Sequence, residues 1–354
     1  MNLDELNTIR QIDTQGMLSH INGLPDQLID AWNLGQTLPL PPADGLRNIL
    51  VAGMGGSAIG ADLLASYVAP LCPVPIIVHR DYSLPAWAGG PETLVIASSH
   101  SGNTEETVAA FEQAHSRGCR VMVISTGGKL GEMARQAGYP LWKFNHSGQP
   151  RTAVGYSFGL LLAALYRMGL IPDPSADLEA AVQAMRSQQI NLLPEVPTVQ
   201  NPAKRLAGQL IDRWPVVIAA DHLEPVARRW KGQISENAKA WGQFEFLPEA
   251  DHNTLAGLNN PETMLPQAVA LFLRAPSNNP RNLLRLDLTR KMFMTQGLNT
   301  DMIDAKGDSP MAHIWTLLHL GDYISFYLAM AYGEDPTPVD ALATLKNELS
   351  QATS

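Results

Sequence analysis

Hydroxyl side chains are concentrated between Ser98 and Thr107, in the segment Ser-Ser-His-Ser-Gly-Asn-Thr-Glu-Glu-Thr. The apolar run from Leu94 to Ala97 precedes this segment, and a helical pattern follows it. Backbone N–H groups are unpaired in the first turn of a helix, and together with the positive end of the helix dipole they attract phosphate. The segment therefore predicts a phosphate-binding loop. The alternative is an ordinary capped turn between a strand and a helix, because Ser and Thr are common N-caps.

A glycine-rich loop precedes that segment along the chain. Gly53-Met54-Gly55-Gly56-Ser57-Ala58 follows the strand pattern of Asn48 to Ala52 and fits the dinucleotide-binding pattern G-x-G-x-x-A, with Asp81 as the candidate ribose ligand. Taken alone, this pattern indicates either a nicotinamide enzyme or a tight turn in which glycine permits close packing of helix on strand. The Ser57 hydroxyl and the hydroxyl-rich loop after the third strand favour a monophosphate instead.

Composition and charge exclude several classes of partner. The net charge of −9 and the pI near 5.5 argue against nucleic acid and against an anionic membrane, because both bind basic surfaces. Cys72 and Cys119 have no metal-binding or redox spacing, so we expect a cytoplasmic protein without disulfides. The apolar segment from Tyr156 to Leu170 contains Arg167 and is too short to span a bilayer, which favours a buried helix.

Strand patterns alternate with helical patterns along most of the 354 residues, which predicts parallel sheets built from βαβ units. The second half repeats the first, with corresponding strands roughly 165 to 180 residues apart. The predicted fold class is α/β, with two doubly wound, flavodoxin-like parallel-sheet domains in tandem and a cleft between them. The predicted divisions are an N-terminal helical extension (1–45), a first domain with the phosphate loops (46–172), a helical linker region (173–213), a second domain (214–332) and a C-terminal segment (333–354).

Several short motifs occur in a fixed order over nearly the whole chain. They are Gly-Met-Gly-Gly-Ser at 53–57, the Ser-x-Ser-Gly-Asn-Thr-x-Glu loop, Pro150-Arg151, Ser235-Glu236-Asn237, Asp251-His252-Asn253, Asp335-Pro336-Thr337-Pro338 and Leu345-Lys346. This set resembles the sugar isomerase (SIS) domain family, and within it the bifunctional phosphoglucose/phosphomannose isomerases. His100 departs from the pattern, since many relatives have Tyr at that position of the phosphate loop.

The resemblance implies an aldose–ketose isomerase that interconverts glucose 6-phosphate and mannose 6-phosphate with fructose 6-phosphate through a cis-enediol, with neither a metal nor an organic cofactor. It assigns Glu236 as the base, Arg151 as the group that stabilises the enediolate, and His252 with Lys346 as the groups that open the sugar ring. It assigns phosphate binding to Gly56, Ser57, Ser99, Ser101 and Thr104, and a substrate-orienting hydroxyl to Thr337. It also implies a homodimer in which His252 reaches the neighbouring subunit's site.

The residues by themselves leave other interpretations open. Glu236 lies in a helical pattern, where a solvated carboxylate paired with Lys231 or Lys239 is an ordinary surface feature. His252 is in a polar loop and Lys346 in a C-terminal helical stretch, and both types of residue are commonly exposed there. Two other functions remain at this point: a sugar-phosphate-binding regulator without turnover, and a nicotinamide oxidoreductase.

Overall fold

Two parallel sheets form the frame of the computed structural model, which describes residues 2–352. The first sheet contains β1 (Asn48–Ala52), β2 (Ile76–His79), β3 (Thr93–Ser99), β4 (Arg120–Ser125) and β5 (Leu141–Lys143). The second contains β6 (Trp214–Ala220), β7 (Gln243–Leu247), β8 (Ala268–Arg274) and β9 (Asn299–Asp304). Their spatial orders are β2-β1-β3-β4-β5 and β7-β6-β8-β9. The second order repeats the first four strands of the first, so the predicted tandem of doubly wound units is confirmed.

Helices cover the sheets and join them. They are α1 (Leu6–Ile12), α2 (Met17–Asn22), α3 (Leu24–Gly35), α4 (Gly55–Val68), α5 (Glu105–Ser116), α6 (Gly128–Ala137), α7 (Val154–Arg167), α8 (Ser175–Gln189), α9 (Pro202–Leu210), α10 (Glu224–Ala238), α11 (Pro280–Thr295), α12 (Pro310–Tyr332) and α13 (Asp340–Gln351). None of the helices within residues 2–352 has the length and apolar character needed to cross a bilayer.

The topological switch point of each sheet determines where its loops meet. β1 pairs in parallel with both β2 and β3, and β6 pairs in parallel with both β7 and β8. The chain therefore leaves the carboxyl ends of β1 and β3 at the same edge of the sheet, and its connections then run to opposite sides. A crevice opens between these two strand ends. The glycine-rich loop follows β1 and the hydroxyl-rich loop follows β3, so the two candidate phosphate loops lie side by side.

The long helix α12 occupies the centre of the molecule. Its side chains are buried continuously from Met311 to Met330, and it packs against α8, α9 and α10. Pro310 at the first position and the Ser309 side chain, which accepts a hydrogen bond of 3.2 Å from the Ala312 N–H, start the helix. The sequence predicted this helix from Ser309-Pro310 to about Tyr332, and the structure has the same bounds.

Helix α10 ends three residues before the sequence predicted. The helical pattern extends to Trp241, but Lys239 adopts a left-handed conformation with φ of 54°, and the helix stops at Ala238. Trp241 is then 82% exposed rather than part of a buried helical face. At this early stop Lys239 contacts the C-terminal segment, which forms one side of the candidate site.

Gly321 permits the close packing of α12 on α10. A Cβ at this position would lie 2.1 Å from Nε1 of the buried Trp230. We expect Gly321→Ala to lower the free energy of unfolding by about 1–3 kcal/mol, because overpacking forces neighbouring side chains out of place. Urea denaturation measures the change.

The matched control is Gly208→Ala in α9, where a Cβ would meet no atom of the described residues within 4 Å. This substitution should raise stability by about 0.5–1 kcal/mol, since alanine is the better helix former. Equal effects of the two substitutions would contradict the packing argument.

Candidate active site

Arg151 connects the candidate catalytic segments. It lies on a short 3-10 turn, Pro150–Ala153, which leads into α7, and its residue surface is only 4% exposed. Its Nε donates to Asn237 Oδ1 at 2.8 Å, and its Nη1 lies 3.5 Å from Glu236 Oε2. Its Nη2 donates to the carbonyls of Pro336 and Thr337, both at 2.7 Å. One guanidinium thus holds together the start of α7, the end of α10 and the C-terminal segment.

Gly56 explains how the turn of Arg151 comes so close to α4. A Cβ at Gly56 would lie 2.3 Å from the Pro150 carbonyl oxygen and 3.2 Å from Arg151 Cα. Only glycine fits this approach without moving the backbone. The glycine-rich loop, which the sequence assigned to phosphate, therefore also seats the turn that carries Arg151.

A second buried ion pair supports the first. Arg229 on α10 donates from Nη2 to Asp322 Oδ2 at 2.7 Å and from Nε to Oδ1 at 3.1 Å, and both side chains are at least 96% buried. The same Nη2 donates to the Arg151 carbonyl at 3.1 Å. Gln233 donates to Asp322 at 3.0 Å, and Asn237 donates to Ser325 at 3.0 Å. This network fixes the backbone of Arg151. It also fixes the side-chain amide of Asn237, which accepts the hydrogen bond from Arg151 Nε.

The two lysines near Glu236 do not neutralise its carboxylate. The ion-pair partner of Glu236 in the structure is Arg151, and the Glu236 side chain is 33% exposed. Lys239 Nζ instead donates to the Glu236 carbonyl at 3.0 Å, the Asn237 carbonyl at 3.2 Å and the Asp335 carbonyl at 2.7 Å. Burial, and then the nearby Arg151 charge, lower the pKa of Lys239. Lys239 therefore binds the C-terminal segment to the end of α10.

Electrostatics around Arg151 are dominated by desolvation. Burial lowers the pKa of Arg151, and the Glu236 carboxylate acts in the opposite direction. The pKa of a free guanidinium lies far above neutral pH, so Arg151 stays charged at pH 7. A buried cation beside a half-open carboxylate is suited to stabilising negative charge that develops between them.

Thr337 supplies a polar group that the protein leaves unused. The residue is 6% exposed, and its Oγ1 has no hydrogen-bond partner among residues 2–352. Its backbone N–H donates to Asp335 Oδ1 at 2.9 Å, which fixes the turn, and its carbonyl accepts from Arg151. A buried hydroxyl without a partner is costly, so a ligand hydroxyl is a suitable partner for it.

The hydroxyl-rich loop closes into a compact turn. Ser99 Oγ lies 2.8 Å from Thr104 Oγ1 and accepts from the Gly102 N–H at 3.1 Å, and Ser101 Oγ accepts from the Asn103 N–H at 3.2 Å. Neither α4 nor α5 has a side-chain cap, so the N–H groups of both first turns remain without that partner. A Cβ at Gly53 would lie 2.7 Å from the Ser98 carbonyl oxygen and 3.2 Å from Ser57 Cβ, which shows how closely the two loops approach.

His100 points towards other imidazoles. Its Nε2 lies 3.0 Å from His146 Nδ1, and His146 Nε2 lies 3.4 Å from Thr152 Oγ1. Burial lowers the pKa of His100, and burial together with the neighbouring histidines lowers the pKa of His146 to about 4. Both rings are therefore neutral at pH 7. Through His146, His100 connects the hydroxyl-rich loop to Thr152, the residue that follows Arg151.

Two sequence-predicted site residues lie apart from this cluster within one chain. His252 ends a short 3-10 turn, Glu249–His252, and is exposed. Lys346 lies on α13, a helix with no buried residue. No hydrogen bond or ion pair among the described residues connects either side chain to Arg151 or Glu236. A single chain therefore assembles Arg151, Glu236 and Thr337 beside the candidate phosphate loops, and leaves His252 and Lys346 exposed.

Comparison with known proteins identifies the family. The SIS domain matches residues 46–165, and the bacterial phospho-glucose isomerase C-terminal SIS domain matches residues 199–349. A bifunctional phosphoglucose/phosphomannose isomerase of Caldicellulosiruptor bescii is 37% identical over 95% of this chain and 99% of its own. The chain belongs to the bifunctional phosphoglucose/phosphomannose isomerase family.

Other relatives agree with this assignment. A bifunctional phosphoglucose/phosphomannose isomerase of Aquifex aeolicus is 33% identical over 86% of this chain and 91% of its own. Among solved structures, a hypothetical protein of Thermus thermophilus matches 98% of this chain and 94% of its own, with a TM-score of 0.71 at 16% identity. At that identity the structural match bears on the fold alone.

Sequence reasoning missed the buried network of this member of the phosphoglucose/phosphomannose isomerase family. A signal for it was present on α10, where Arg229, Gln233 and Asn237 recur every four residues along one face. On α12 a further signal was the presence of Asp322 and Ser325 inside an apolar helix. Polar residues on one face of a buried helix need partners, and here each helix supplies those of the other.

Removing one partner of the buried pair should be severe. We expect Asp322→Ala to lower the free energy of unfolding by about 3–5 kcal/mol, because Arg229 would remain buried without a counter-charge. Chemical denaturation followed by fluorescence measures this effect.

The control is Asp287→Ala, since the Asp287 side chain is 57% exposed and lies 3.2 Å from the partly exposed Arg274. This surface ion pair should contribute only about 0–1 kcal/mol. Comparable losses at the two positions would show that Arg229 does not depend on Asp322.

Proposed function

We propose that this protein interconverts glucose 6-phosphate and mannose 6-phosphate with fructose 6-phosphate through a cis-enediol intermediate. The observation that carries the proposal is the juxtaposition of the buried Arg151, the half-open Glu236 carboxylate and the unpartnered Thr337 hydroxyl. An aldose–ketose isomerisation needs a base and a cation in this relation, because a proton leaves carbon while charge accumulates on the adjacent oxygen.

Glu236 is the proposed base. In the open-chain aldose it removes the C2 proton, the C2–H electron pair forms the C1=C2 bond, and the carbonyl π electrons move to O1. A proton then passes from the O2 hydroxyl to O1. The C2=O2 carbonyl forms, and the C1=C2 electron pair takes the proton back from Glu236 at C1. The product is fructose 6-phosphate, with atoms and electrons conserved.

Arg151 is the proposed stabiliser of the enediolate oxygen. Its Nε and Nη2 make short hydrogen bonds to protein groups, at 2.8 Å and 2.7 Å. Its Nη1 makes only a long contact of 3.5 Å with Glu236. Nη1 is thus the donor left for substrate, on the same side as the base. Because the guanidinium is rigidly held, it stabilises charge without reorganisation when that charge develops.

The phosphate group of the substrate is assigned to the two loops at the ends of β1 and β3. Gly56, Ser57, Ser99, Ser101 and Thr104 are the proposed binding residues, together with the first-turn N–H groups of α4 and α5. Gly56 also adjoins Arg151, so a phosphate in these loops places its sugar close to the guanidinium. Thr337 Oγ1 is the proposed partner of a sugar hydroxyl near C2 and C3.

One site serves both aldoses for a stereochemical reason. Glucose 6-phosphate and mannose 6-phosphate differ only at C2, and that centre is planar in the enediol they share. Rotation of the intermediate about C2–C3 before reprotonation presents either face of C2 to Glu236. The same base, cation and phosphate loops then return either epimer.

A homodimer with His252 contributed across the interface completes the proposed site. On α11, Leu284, Leu288 and Met292 recur every four residues and are 44–52% exposed, which forms an apolar stripe. The turn that carries His252 adjoins this stripe, since Asp251 accepts from Arg285 at 2.6 Å and from Thr289 at 2.7 Å. A second copy that covers the stripe would receive His252 at its own surface.

The exposed helix α13 is a second apolar face for that partner. Leu342, Leu345 and Leu349 are 45–52% exposed along it, and Lys346 follows directly after Leu345. Burial of this face would bring Lys346 to the dimer interface, where with His252 it handles ring opening. We also assign the protein to the cytoplasm, since its thiols Cys72 and Cys119 are both free.

Substitution of the proposed base should stop proton transfer. We expect Glu236→Gln to slow exchange of the C2 proton of glucose 6-phosphate with deuterated water by about 10²–10⁴-fold, because the amide cannot accept the proton. Nuclear magnetic resonance of the substrate follows the exchange. The matched control, Glu179→Gln on the exposed surface of α8, should leave the rate unchanged. Exchange at the wild-type rate in Glu236→Gln would exclude Glu236 as the base.

Subunit mixing tests the shared site. Glu236→Ala and His252→Ala proteins, each inactive, should regain about one quarter of wild-type activity when their subunits exchange, because half of the dimers then hold one intact site. Mixing Glu236→Ala with the Glu236→Ala/His252→Ala double variant should restore none. Absence of recovery in the first mixture, with exchange proven by labelled chains, would place His252 outside the partner's site.

A further inference from the structure

The second unit of the fold has a crevice equivalent to that of the first. β6 and β8 are neighbours at its switch point, as β1 and β3 are in the first unit. Asp221 is the first residue after β6, and Gly53 is the first residue after β1. The loop after β8 leads into α11 with Asn279 as its N-cap, and the loop after β3 leads into α5 with Thr104 as its N-cap. Duplication alone would therefore predict two phosphate sites.

The Asp221 carboxylate fills the start of α11. Its Oδ2 accepts from the Asn279 N–H at 2.9 Å and from Asn278 Nδ2 at 3.2 Å, and its Oδ1 accepts from Asn282 Nδ2 at 2.6 Å. These are one backbone and two side-chain donors around a single anion at a helix N-terminus. A phosphate at such a place uses the same kinds of donor.

The backbone of Asp221 is held in an unfavourable conformation. Its φ is 56°, in the left-handed region that favours glycine. A non-glycine residue remains in this region only when its surroundings determine it. Here the hydrogen bonds from the start of α11 to the Asp221 carboxylate hold the backbone in this conformation. At the equivalent position the first unit has Gly53, which has no side chain to place in its crevice.

The N-terminal capping of the helices also differs between the two units. The helices after the first strand of each unit, α4 and α10, both lack a side-chain cap. The helices after the third strand differ, because α5 in the first unit has no side-chain cap. In the second unit the Asn279 side chain accepts from the Arg281 N–H at 2.8 Å, and the Asp221 carboxylate takes the Asn279 N–H. The donors that an external anion would need at α11 are therefore already paired.

Two histidines that share the Ser277 hydroxyl lie beside Asp221 in the second crevice, which Glu224 and Arg228 also line. Ser277 Oγ lies 2.9 Å from His222 Nε2 and 2.6 Å from His313 Nδ1. Burial lowers the pKa of His222 to about 4, against the Asp221 charge that acts in the opposite direction, and burial also lowers the pKa of His313. Neither imidazole carries a positive charge at pH 7. The two imidazoles therefore add no positive charge beside the Asp221 carboxylate.

We propose that Asp221 is a built-in anion that takes the place of phosphate in the second crevice and so confines the hexose phosphate to the loops of the first unit. Asp221 acts here as a specificity-determining residue that excludes a ligand. The proposal rests on the proposed function only in assigning the substrate phosphate to the first unit, and the two assignments are tested with different variants.

Phosphate stoichiometry tests the proposal directly. Equilibrium dialysis with radiolabelled inorganic phosphate should give about one bound phosphate per chain for the wild type and about two for Asp221→Gly, because removal of the carboxylate exposes the donors at α11. Glycine retains the backbone conformation at φ of 56°, so the loop stays in place. About one phosphate in a folded Asp221→Gly protein would overturn the proposal.

A second variant keeps the test valid if the glycine variant does not fold. Asp221→Asn removes the charge at nearly constant volume. Asp287→Asn on α11 is its matched control, with the same change in net charge at a 57% exposed side chain. Phosphate should raise the melting temperature of Asp221→Asn more than that of Asp287→Asn. Equal responses would overturn the proposal.

The first-unit assignment is tested with Thr104→Val. This variant should lose the bound phosphate of the wild type, and Thr104→Val/Asp221→Gly should bind about one phosphate, now at α11. Full phosphate binding by Thr104→Val alone would contradict the proposed phosphate loop and leave the Asp221 result independent. Absence of binding by a folded double variant would count against Asp221 alone.

Discussion

The buried guanidinium of Arg151 imposes the constraint from which the site follows. A cation removed from water needs a hydrogen-bond acceptor for nearly every N–H group, or its burial destabilises the fold. The acceptors come from α10 and from the carbonyls of Pro336 and Thr337, far apart in the sequence. Satisfying one side chain therefore brings the first unit, the second unit and the C-terminal segment together.

The buried ion pair between Arg229 and Asp322 also depends on complete pairing of its charged groups. Arg229 and Asp322 neutralise each other in the contact between α10 and α12, and Arg229 still has a donor for the Arg151 carbonyl. The cleft is thus supported on rigid helices rather than on a mobile loop. Gly56 and Gly321 permit the two close approaches on which this arrangement depends, at α4 and at α12. The glycines allow the helices to approach closely, and the buried charged residues pair with each other between those helices.

The two units of the duplicated fold contribute different parts to the candidate site. The second sheet repeats the order of the first four strands, but the helix after the third strand is uncapped in the first unit (α5) and capped by Asn279 in the second (α11). The second unit contributes a helix, α10, with Glu236 near its end, and the start of its helix α11 is paired with Asp221 and Asn279. Apolar stripes on α11 and α13 remain exposed on the single chain.

Most of the fold was predictable from local patterns. Parallel strands buried on both faces read as short apolar runs, and the caps around α12 are visible as Ser309-Pro310. The short β5 and the early end of α10 were not predictable. β5 has only three residues, and α10 stops at Lys239 because that lysine turns to bond carbonyls of a distant segment.

The amino-acid sequence by itself determined the fold class, the position of the two candidate phosphate loops after β1 and β3, and the family, because these depend on short-range patterns and on motifs in a fixed order. Only the tertiary structure decided that Glu236 pairs with Arg151 rather than with a lysine, that Thr337 has a hydroxyl without a partner, and that Asp221 fills the second crevice. The physical reason is that each of these facts is a contact between residues distant in the chain. Burial and geometry, rather than residue type, determine which polar group meets which.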